Sequence, residues 1–275
     1  MKIDAHQHFW KLARGDYSWL TPELEPLYRD FEPKDLKPLL KAAGIDGTIA
    51  VQAADTEAET EYLLSLADTH DWILGVVGWT DLEAPDAPAK IEQMARHPKL
   101  VGFRPMIQNI EDDAWMLKDN LRPALAAMVA HNLTFDALVM PHHLGHLLTF
   151  LGRYPTLRVV IDHGAKPEIR DGHFETWAEN MTQIAKTSQS FCKLSGLTTE
   201  ASPEWQTKDL LPYIAQILRE FTPARVVYGS DWPVLNLASS YDAWLTIVQD
   251  AVENHEQDIF ETSVHRAYPR LNPII

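Results

Sequence analysis

Two histidines near the start of the chain have a spacing that suits chemistry. His6 and His8 follow a strand-like segment at residues 2–5. Side chains two positions apart on a strand point to the same face, so both imidazoles can reach one point, as metal ligands and active-site groups do. Taken alone, a His-x-His pair is explained equally well by two exposed histidines in a terminal tail. Only other residues of the chain can show whether the pair belongs to a site.

A carboxylate near the other end of the chain completes a chemically competent set. Asp231 ends an apolar run at residues 225–231. Two imidazoles and one carboxylate suit a single zinc-like divalent ion with an open position for water. Asp231 could also act as general base toward that water. The alternative for Asp231 is a capping role at the following turn, where aspartate is common.

The elements that must bring these residues together are short strands and helices in alternation. Eight apolar runs are separated by helical patterns, which is typical of βα units around a parallel sheet. Because eight units fit into 275 residues and no Gly-x-Gly-x-x-Gly turn occurs, we predict a (β/α)8 TIM barrel. We expect one domain at residues 1–275, an extended loop after strand one and a closing C-terminal helix at about residues 257–271.

In such a barrel, the carboxyl ends of all strands surround one site. Strands one and eight are neighbours in a closed barrel, so His6, His8 and Asp231 should lie side by side. The full set that the sequence places at strand ends is His6, His8, Gln52, Trp79, Arg104, Asp136, His163, Ser195 and Asp231.

Two further strand-end residues have candidate catalytic roles. His163 is interpreted as a third metal ligand, a general acid or a donor to a substrate carbonyl, and a structural histidine bonded to Asp162 is the alternative. Arg104 suits an oxyanion partner, with a structural ion pair as its alternative. Ser195 lacks the Gly-x-Ser-x-Gly turn of a serine nucleophile. Cys192 is expected to be a buried apolar side chain.

Composition and charge argue against several classes of partner. The net charge is −15, which disfavours nucleic acid and anionic membrane surfaces. No run approaches the roughly 18 apolar residues of a membrane span, and a single cysteine cannot form an internal disulfide. Since no secretory signal is recognisable at the start, we expect a cytoplasmic protein with a small-molecule substrate. Whether it forms a homo-oligomer stays open.

Several motifs resemble the amidohydrolase-2 branch of the amidohydrolase superfamily, and within it the sugar-acid lactonases. The resemblance covers essentially the whole chain in order, and each motif falls at the end of a predicted strand. The motifs are Asp-Ala-His-Gln-His-Phe-Trp at 4–10 with Gly-Asp-Tyr-Ser-Trp-Leu at 15–20, Val-Gln-Ala at 51–53, Gly-Trp-Thr-Asp-Leu at 78–82, Gly-Phe-Arg-Pro at 102–105, Phe-Asp at 135–136 with Pro-His-His-Leu at 141–144, Asp-His at 162–163 with Lys-Pro at 166–167, and Tyr-Gly-Ser-Asp-Trp-Pro at 228–233.

This resemblance implies hydrolysis of a small lactone, of the fuconolactone or rhamnonolactone type, to the aldonic acid. It implies that Asp231 activates water and then protonates the leaving alkoxide, while Arg104 and His163 polarise the carbonyl. The pair formed by His6 and His8 binds a divalent metal in some members and only contacts substrate in others. Strand five lacks the lysine that bridges two metals in binuclear members, so one ion at most is expected.

Few cations fall at strand ends, which favours a neutral polyhydroxylated lactone over a dicarboxylate. Arg104 and Lys166 are the basic residues that we place at or just after a strand end. The predicted substrate contacts are Gln52, Trp79, Asp136, His142, Lys166, Trp10, Tyr17 and Trp19. Two alternatives stay open: a metal-dependent non-oxidative decarboxylase of the same superfamily, which would place a histidine on strand five, and a non-catalytic barrel that binds a sugar-like ligand.

Overall fold

The computed structural model describes residues 1–271 and contains an eight-stranded parallel sheet in the order β1 to β8. This arrangement confirms the predicted (β/α)8 barrel; the expected domain end at residue 275 lies outside the described residues. The strands are β1 (Ile3–Gln7), β2 (Gly47–Val51), β3 (Ile73–Gly78), β4 (Leu100–Phe103), β5 (Thr134–Ala137), β6 (Val159–Ile161), β7 (Phe191–Leu194) and β8 (Val226–Tyr228).

The barrel closes between β1 and the turn that follows β8. The amide of Asp231 donates to the carbonyl of His6 at 2.8 Å, and the amide of His8 donates to the carbonyl of Trp232 at 2.7 Å. These two hydrogen bonds fix the turn after β8 against the carboxyl end of β1. The first and last strands therefore present their functional side chains at one edge.

The helices lie between the strands along the chain. Their bounds are α1 (Pro33–Ala43), α2 (Glu57–Thr69), α3 (Ala87–Met94), α4 (Arg122–Ala130), α5 (Leu144–Arg153), α6 (Glu175–Thr187), α7 (Leu197–Glu200), α8 (Thr207–Phe221), α9 (Tyr241–Val252) and α10 (Ser263–Ala267). None of those in residues 1–271 is long and apolar enough to cross a membrane.

Local sequence signals explain where several helices begin and end. Helix α1 starts at Pro33, whose fixed φ suits a first helical position, and ends before Gly44 in the left-handed conformation (φ 66°), and both signals can be read from the sequence. Before α2 the sequence offers Asp55 as a cap, but the side chain of Thr56 is the one that accepts from the Glu59 amide at 3.1 Å. The expected closing helix is divided into a π-helical turn at Asp258–Thr262 and α10.

The closing helix plugs the amino-terminal end of the barrel. Alternate strand residues fill the barrel interior with small and β-branched side chains, and Val264, Ala267 and Tyr268 pack beneath them. Because the side chains of a strand alternate between faces, the other set packs outward against the helices. The interior is therefore solid, and polar groups have room only near the carboxyl ends of the strands. The inward apolar residues are Ile3, Ala5, Ile49, Val51, Val77, Val101, Val160, Phe191 and Val227.

Candidate active site

Three imidazoles surround the carboxylate of Asp231 at the carboxyl end of the barrel. Its Oδ1 lies 3.2 Å from His8 Nε2, 3.6 Å from His6 Nε2 and 3.9 Å from His163 Nε2. The Nε2 atoms of His6 and His8 are 3.2 Å apart. Each of the four residues is at most 4% exposed. The structure therefore brings together the strand-one pair, the strand-six histidine and the strand-eight aspartate.

The turn after β8 holds Asp231 in the left-handed region, with φ at 59°. The amide of Ser230 donates to Asp4 Oδ1 at 2.9 Å, and the amide of Trp232 donates to Ser230 Oγ at 3.0 Å. The capping role considered for Asp231 is not seen, because Pro233 precedes the 3-10 turn at Val234–Leu237. Its carboxylate is free to face the histidines.

Hydrogen bonds set the orientation of two of the imidazoles. His8 Nδ1 lies 2.8 Å from the carbonyl oxygen of Val51, which only accepts, so the proton is on Nδ1 and Nε2 faces Asp231 as an acceptor. His163 Nδ1 lies 2.9 Å from Ser195 Oγ. The alternative bond between His163 and Asp162 is not present. Ser195 is thus a partner of the histidine.

A glycine makes room for the His163 ring. Gly196 has φ at 65°, and a Cβ there would lie 2.5 Å from His163 Nδ1. Any other residue would be strained by the backbone conformation and would collide with the imidazole.

Arg104 is held from two sides and points toward the histidines. Its Nη2 donates to the carbonyl of Gln52, and Gln52 Nε2 donates back to the carbonyl of Arg104 at 2.7 Å. Its Nη1 lies 3.4 Å from His6 Nε2 and 3.5 Å from Asp162 Oδ2. Gln52 therefore contacts Arg104 twice, through its own carbonyl and through its side-chain amide, and so positions the guanidinium. Gln52 does not itself line the cavity.

Lys193 is a functional candidate that the sequence reasoning missed. Its side chain is fully buried, and Nζ lies 2.5 Å from Asp136 Oδ2, 2.9 Å from Asp162 Oδ1 and 3.1 Å from His6 Nδ1. The hydroxyl of Tyr268 also donates to Asp136 Oδ2 at 2.8 Å. The count of Arg104 and Lys166 as the basic residues near the site was therefore incomplete, since a third cation lies directly beneath the histidines.

The sequence did contain a signal for Lys193. Cys192 and Leu194 are its neighbours on β7, and both are buried apolar side chains, as expected for Cys192. Strand alternation then sends Lys193 to the opposite face, which is the barrel interior. A lysine there needs buried carboxylate partners, and this requirement points to the inward residues of the neighbouring strands.

Burial and neighbouring charges separate the protonation states in the site. Burial alone would raise the pKa of Asp231, but the adjacent His163, His8 and His6 hold it below its ordinary value. Burial lowers the pKa of His163 to about 4, and burial together with Lys193 lowers the pKa of His6 well below its usual range. At neutral pH, the site therefore contains an anionic carboxylate beside the neutral imidazoles of His6 and His163, which is a competent arrangement for a general base.

Charge sharing distinguishes the two carboxylates below the site. Burial would raise the pKa of Asp162, but Lys193 and His6 hold it well below its ordinary value. Burial raises the pKa of Asp136 to about 6 even though it contacts the same lysine. One ammonium cannot fully stabilise two buried carboxylates, so the pair divides into a stronger and a weaker acid.

A cavity of about 200 Å³ opens above this cluster. It is smaller than the roughly 300–1,000 Å³ pockets that hold drug-sized molecules, so it suits a small ligand. One part of the wall is apolar or aromatic, with Trp19, Ala53, Met106, Leu138 and Val234, and the other part is polar, with His8, Arg104, Gln108, Asn109, His163, Lys166, Thr199 and Asp231.

The wall formed by Trp19 and Ala53 has its own supports. Trp19 Nε1 donates to the carbonyl of Ala53 at 2.7 Å. The buried carboxylate of Glu59 accepts from the amides of Ala53 and Ala54 at 3.0 and 2.7 Å. Burial raises the pKa of Glu59 to about 7. Trp10 packs edge-on against Trp19 with ring centroids 5.5 Å apart, so the first loop stiffens the wall from behind.

Several predicted substrate contacts do not line the cavity. Trp10 is fully buried and donates to the carbonyl of Arg29, and Tyr17 is buried beside it. The backbone of Trp79 is bonded to the Thr60 hydroxyl. His142 is exposed at the surface, 3.5 Å from Asp113.

Asp136 and Gln52 also lie off the cavity, each fully buried one layer below the mouth. The predicted contacts on the cavity wall are Trp19 and Lys166, with Arg104 and His163 among the catalytic candidates. The last residue of a strand is therefore not always at the depth where a substrate binds.

The histidine and aspartate donors are spaced like the ligands of one divalent ion. The ligand atoms of His6, His163 and Asp231 all lie within 4.8 Å of one another, and His8 Nε2 is equally close to the carboxylate. Tetrahedral zinc with ligands at about 2.0–2.1 Å would separate the ligand atoms by about 3.3 Å. The donor set fits one ion, with His6 as the exception, since Lys193 and Arg104 place cations beside both of its ring nitrogens.

Comparison with known proteins gives one family and several close relatives. The amidohydrolase family profile matches residues 3–262. An L-fucono-1,5-lactonase of Burkholderia ambifaria is 48% identical over 247 residues, covering 89% of this chain and 85% of that protein. An L-fucono-1,5-lactonase of Burkholderia multivorans is 35% identical over 92% of this chain and 89% of its own. A crystal structure of an amidohydrolase from Burkholderia multivorans with bound zinc has a TM-score of 0.92 and 33% identity, covering 98% of this chain and 99% of that one.

Proposed function

The chain belongs to the amidohydrolase family, and we propose that it hydrolyses a small sugar-acid lactone of the L-fucono-1,5-lactone type to the open aldonic acid. The observation that carries the proposal is the anionic carboxylate of Asp231, which lines the same small cavity as the guanidinium of Arg104. Ester hydrolysis requires these two groups, a base for water and a positive charge for the oxyanion.

Asp231 acts as the base and then as the acid. It takes a proton from water as the water oxygen bonds to the lactone carbonyl carbon. The bond between that carbon and the ring oxygen then breaks, and Asp231 returns the proton to the departing alkoxide. The hydrogen bond from the Asp231 amide to the carbonyl of His6 keeps this residue in place during both transfers.

Arg104 and His163 stabilise the oxyanion. The guanidinium is fixed by Gln52 and Asp162, so little reorganisation is needed when negative charge develops. Because His163 is neutral and its Nδ1 contacts the Ser195 hydroxyl, donation from that hydroxyl leaves the proton on Nε2, on the side of Asp231 and the cavity. Loss of one oxyanion donor typically lowers kcat by about 10²- to 10³-fold.

The cavity wall supports a neutral, polyhydroxylated substrate. Gln108, Asn109 and Thr199 offer hydrogen bonds on the polar part, while Trp19 covers the apolar part. The ammonium of Lys166 is already paired, 3.3 Å from Glu200 and 3.1 Å from Gln108. A second anionic group on the substrate would therefore find little unpaired positive charge.

A single zinc-like ion held by His8 and Asp231, and by His163 in the tautomer whose Nε2 is unprotonated, would supply Lewis-acid polarisation of the carbonyl and a more acidic water. The roles given above to Asp231 and Arg104 do not depend on it. We place the reaction in the cytoplasm, because a net charge of −15 and one buried cysteine suit a reducing compartment.

A pH-indicator assay over a panel of lactones tests the proposal. We expect rapid hydrolysis of L-fucono-1,5-lactone or a close stereoisomer, in samples treated with chelator and in samples given zinc. Faster hydrolysis of a dicarboxylate lactone would contradict the neutral substrate. Absence of turnover with every aldonolactone, or release of carbon dioxide from aromatic acids, would contradict the lactonase assignment itself.

A further inference from the structure

Lys193 is a buried cation that the mechanism above does not use. It lies on β7 below the catalytic groups, and its ammonium contacts two carboxylates and one ring nitrogen of His6. An ammonium group has three donors and no acceptor. Each atom that forms a hydrogen bond with the Lys193 ammonium must therefore be an acceptor.

The contact with His6 selects one form of its ring. His6 Nδ1 lies 3.1 Å from Lys193 Nζ, so Nδ1 must accept, and a neutral imidazole then carries its proton on Nε2. Asp162 Oδ1, the acceptor that would favour the other form, is farther from Nδ1, at 3.6 Å.

The neighbours of Nε2 agree with this assignment. Nε2 faces His8 Nε2 at 3.2 Å and Asp231 Oδ1 at 3.6 Å, and both are acceptors because His8 donates its only proton to Val51. The one donor nearby, Arg104 Nη1, is at 3.4 Å and also faces Asp162. The hydrogen bonds therefore run in one direction. Lys193 donates to His6, His6 donates to His8, and His8 donates to the carbonyl of Val51.

We propose that Lys193 is a positioning residue that keeps the proton of His6 on Nε2, so that His6 is a hydrogen-bond donor to His8 beside the base Asp231 and is not a metal ligand. The catalytic part of this inference rests on the proposed lactonase function, and the part concerning metal does not. Without Lys193, the proton of His6 moves to Nδ1 and is donated to Asp162. A histidine that donates from Nδ1 to a carboxylate has an unprotonated Nε2, and this is the usual arrangement of a histidine that binds zinc.

The first test reads the tautomer of His6 directly in the wild-type protein. Long-range ¹H–¹⁵N spectra of chelator-treated protein labelled on histidine distinguish Nδ1–H from Nε2–H, and a His6→Asn sample assigns the signal. We expect His6 with the proton on Nε2 and His8 with the proton on Nδ1. A His6 ring protonated on Nδ1 in wild-type protein would overturn the proposal.

The second test measures zinc affinity by competition with a chromogenic chelator. Removing Lys193 alone would leave two buried carboxylates unbalanced and strongly destabilise the fold. The variant is therefore Lys193→Met combined with Asp136→Asn, which removes one charge of each sign and leaves Tyr268 an acceptor. We expect zinc to bind about 10- to 100-fold more tightly than to wild type, as supports of this kind typically contribute.

Lys166→Met is the matched control, since it removes a lysine charge from the rim of the same cavity without contacting His6. We expect its zinc affinity to stay within about threefold of wild type, below one tenfold step of about 1.4 kcal/mol. An unchanged zinc affinity in a folded double variant, or an equal gain in the control, would overturn the proposal. If the double variant does not fold, as judged by near-ultraviolet circular dichroism, the wild-type tautomer decides alone.

The two proposals fail in different ways. If the lactonase proposal is wrong, the wild-type protein will not turn over lactones, but the His6 tautomer and the zinc affinities will still be as expected. If the Lys193 proposal is wrong, the spectra and the zinc titrations will differ from expectation, but the wild-type protein will still hydrolyse lactones.

Discussion

Replacing Asp231 with asparagine is the sharpest test of the proposed chemistry. Asparagine keeps the size of the side chain, and it tolerates the left-handed backbone at this position, where alanine would add strain. The asparagine amide can donate to His8 Nε2, which accepts because His8 Nδ1 donates to Val51. The substitution therefore removes the base with little disturbance of the three imidazoles.

The expected effect follows from the role of the carboxylate. A positioned general base contributes about 10²- to 10⁴-fold, which is about 3 to 5 kcal/mol of the activation barrier. Asp231 is the carboxylate beside the neutral imidazoles of His163 and His6, and we expect no neighbour on the cavity wall to replace it at neutral pH. We expect kcat to fall by at least 10²-fold, with a much smaller change in KM, because Arg104 and the cavity wall are retained.

The assay is initial-rate hydrolysis of the preferred aldonolactone near pH 7, with the uncatalysed rate subtracted and thermal unfolding recorded for each protein. The control is Asp113→Asn, which neutralises an exposed carboxylate beside His142 and away from the cavity. We expect the control to behave as wild type. A folded Asp231→Asn protein with kcat within tenfold of wild type would refute the assignment of the base.

Three further predictions concern charge. Arg104→Lys keeps a positive charge but loses the planar fork held by Gln52, and we expect kcat to fall about 10²- to 10³-fold with wild-type thermal stability, measured with the same lactone assay. The acid limb of the rate profile should lie near pH 4, where His163 gains a proton, and an acid limb near pH 6.5 would contradict the lowered pKa. Burial raises the pKa of Glu59 from 4.5 to about 7, so the folded state holds more protons than the unfolded state, and stability falls as pH rises through 7. From pH 6 to 8, this loss amounts to about 1 kcal/mol, or roughly 2–4 °C in Tm, and Glu59→Gln should show a flatter pH dependence in thermal scans.

The barrel could be predicted from the sequence because its signals are local and repeated. Strand runs and amphipathic helices alternate along the chain, and Pro33 with Gly44 marks both ends of the first helix. Boundaries were less accurate where neighbouring residues compete for one role. Asp55 and Thr56 are both good caps, and only the folded backbone places the Thr56 hydroxyl under the Glu59 amide.

Closure of the barrel explains why the central residues of the site could be named in advance. Strand ends meet at one edge, so His6, His8 and Asp231 had to be neighbours once the barrel was assigned. Depth along the barrel axis was the information that the sequence lacked. Asp136 lies inside β5, one residue before its end, whereas Arg104 follows the end of β4, and Asp136 accordingly faces the buried Lys193 and not the cavity.

Residues of the cavity wall that come from loops were beyond sequence reasoning. Gln108, Asn109 and Thr199 have no periodic pattern, and their directions depend on irregular turns after β4 and β7. Lys193 is a different case, since strand alternation already directed it inward. A charged residue inside a strand is recognisable as part of a site only when its buried partners, here Asp136 and Asp162, are identified with it.

Tyr268 links the chemistry of the first strand to the closing helix. The Asp136 carboxylate that anchors Lys193 receives the Tyr268 hydroxyl only once that helix has been made and has folded into place. A nascent chain that stalls before residue 268 lacks both the floor of the barrel and the full charge network under its histidines. Assembly of the site therefore waits for a segment that contributes no group to the cavity itself.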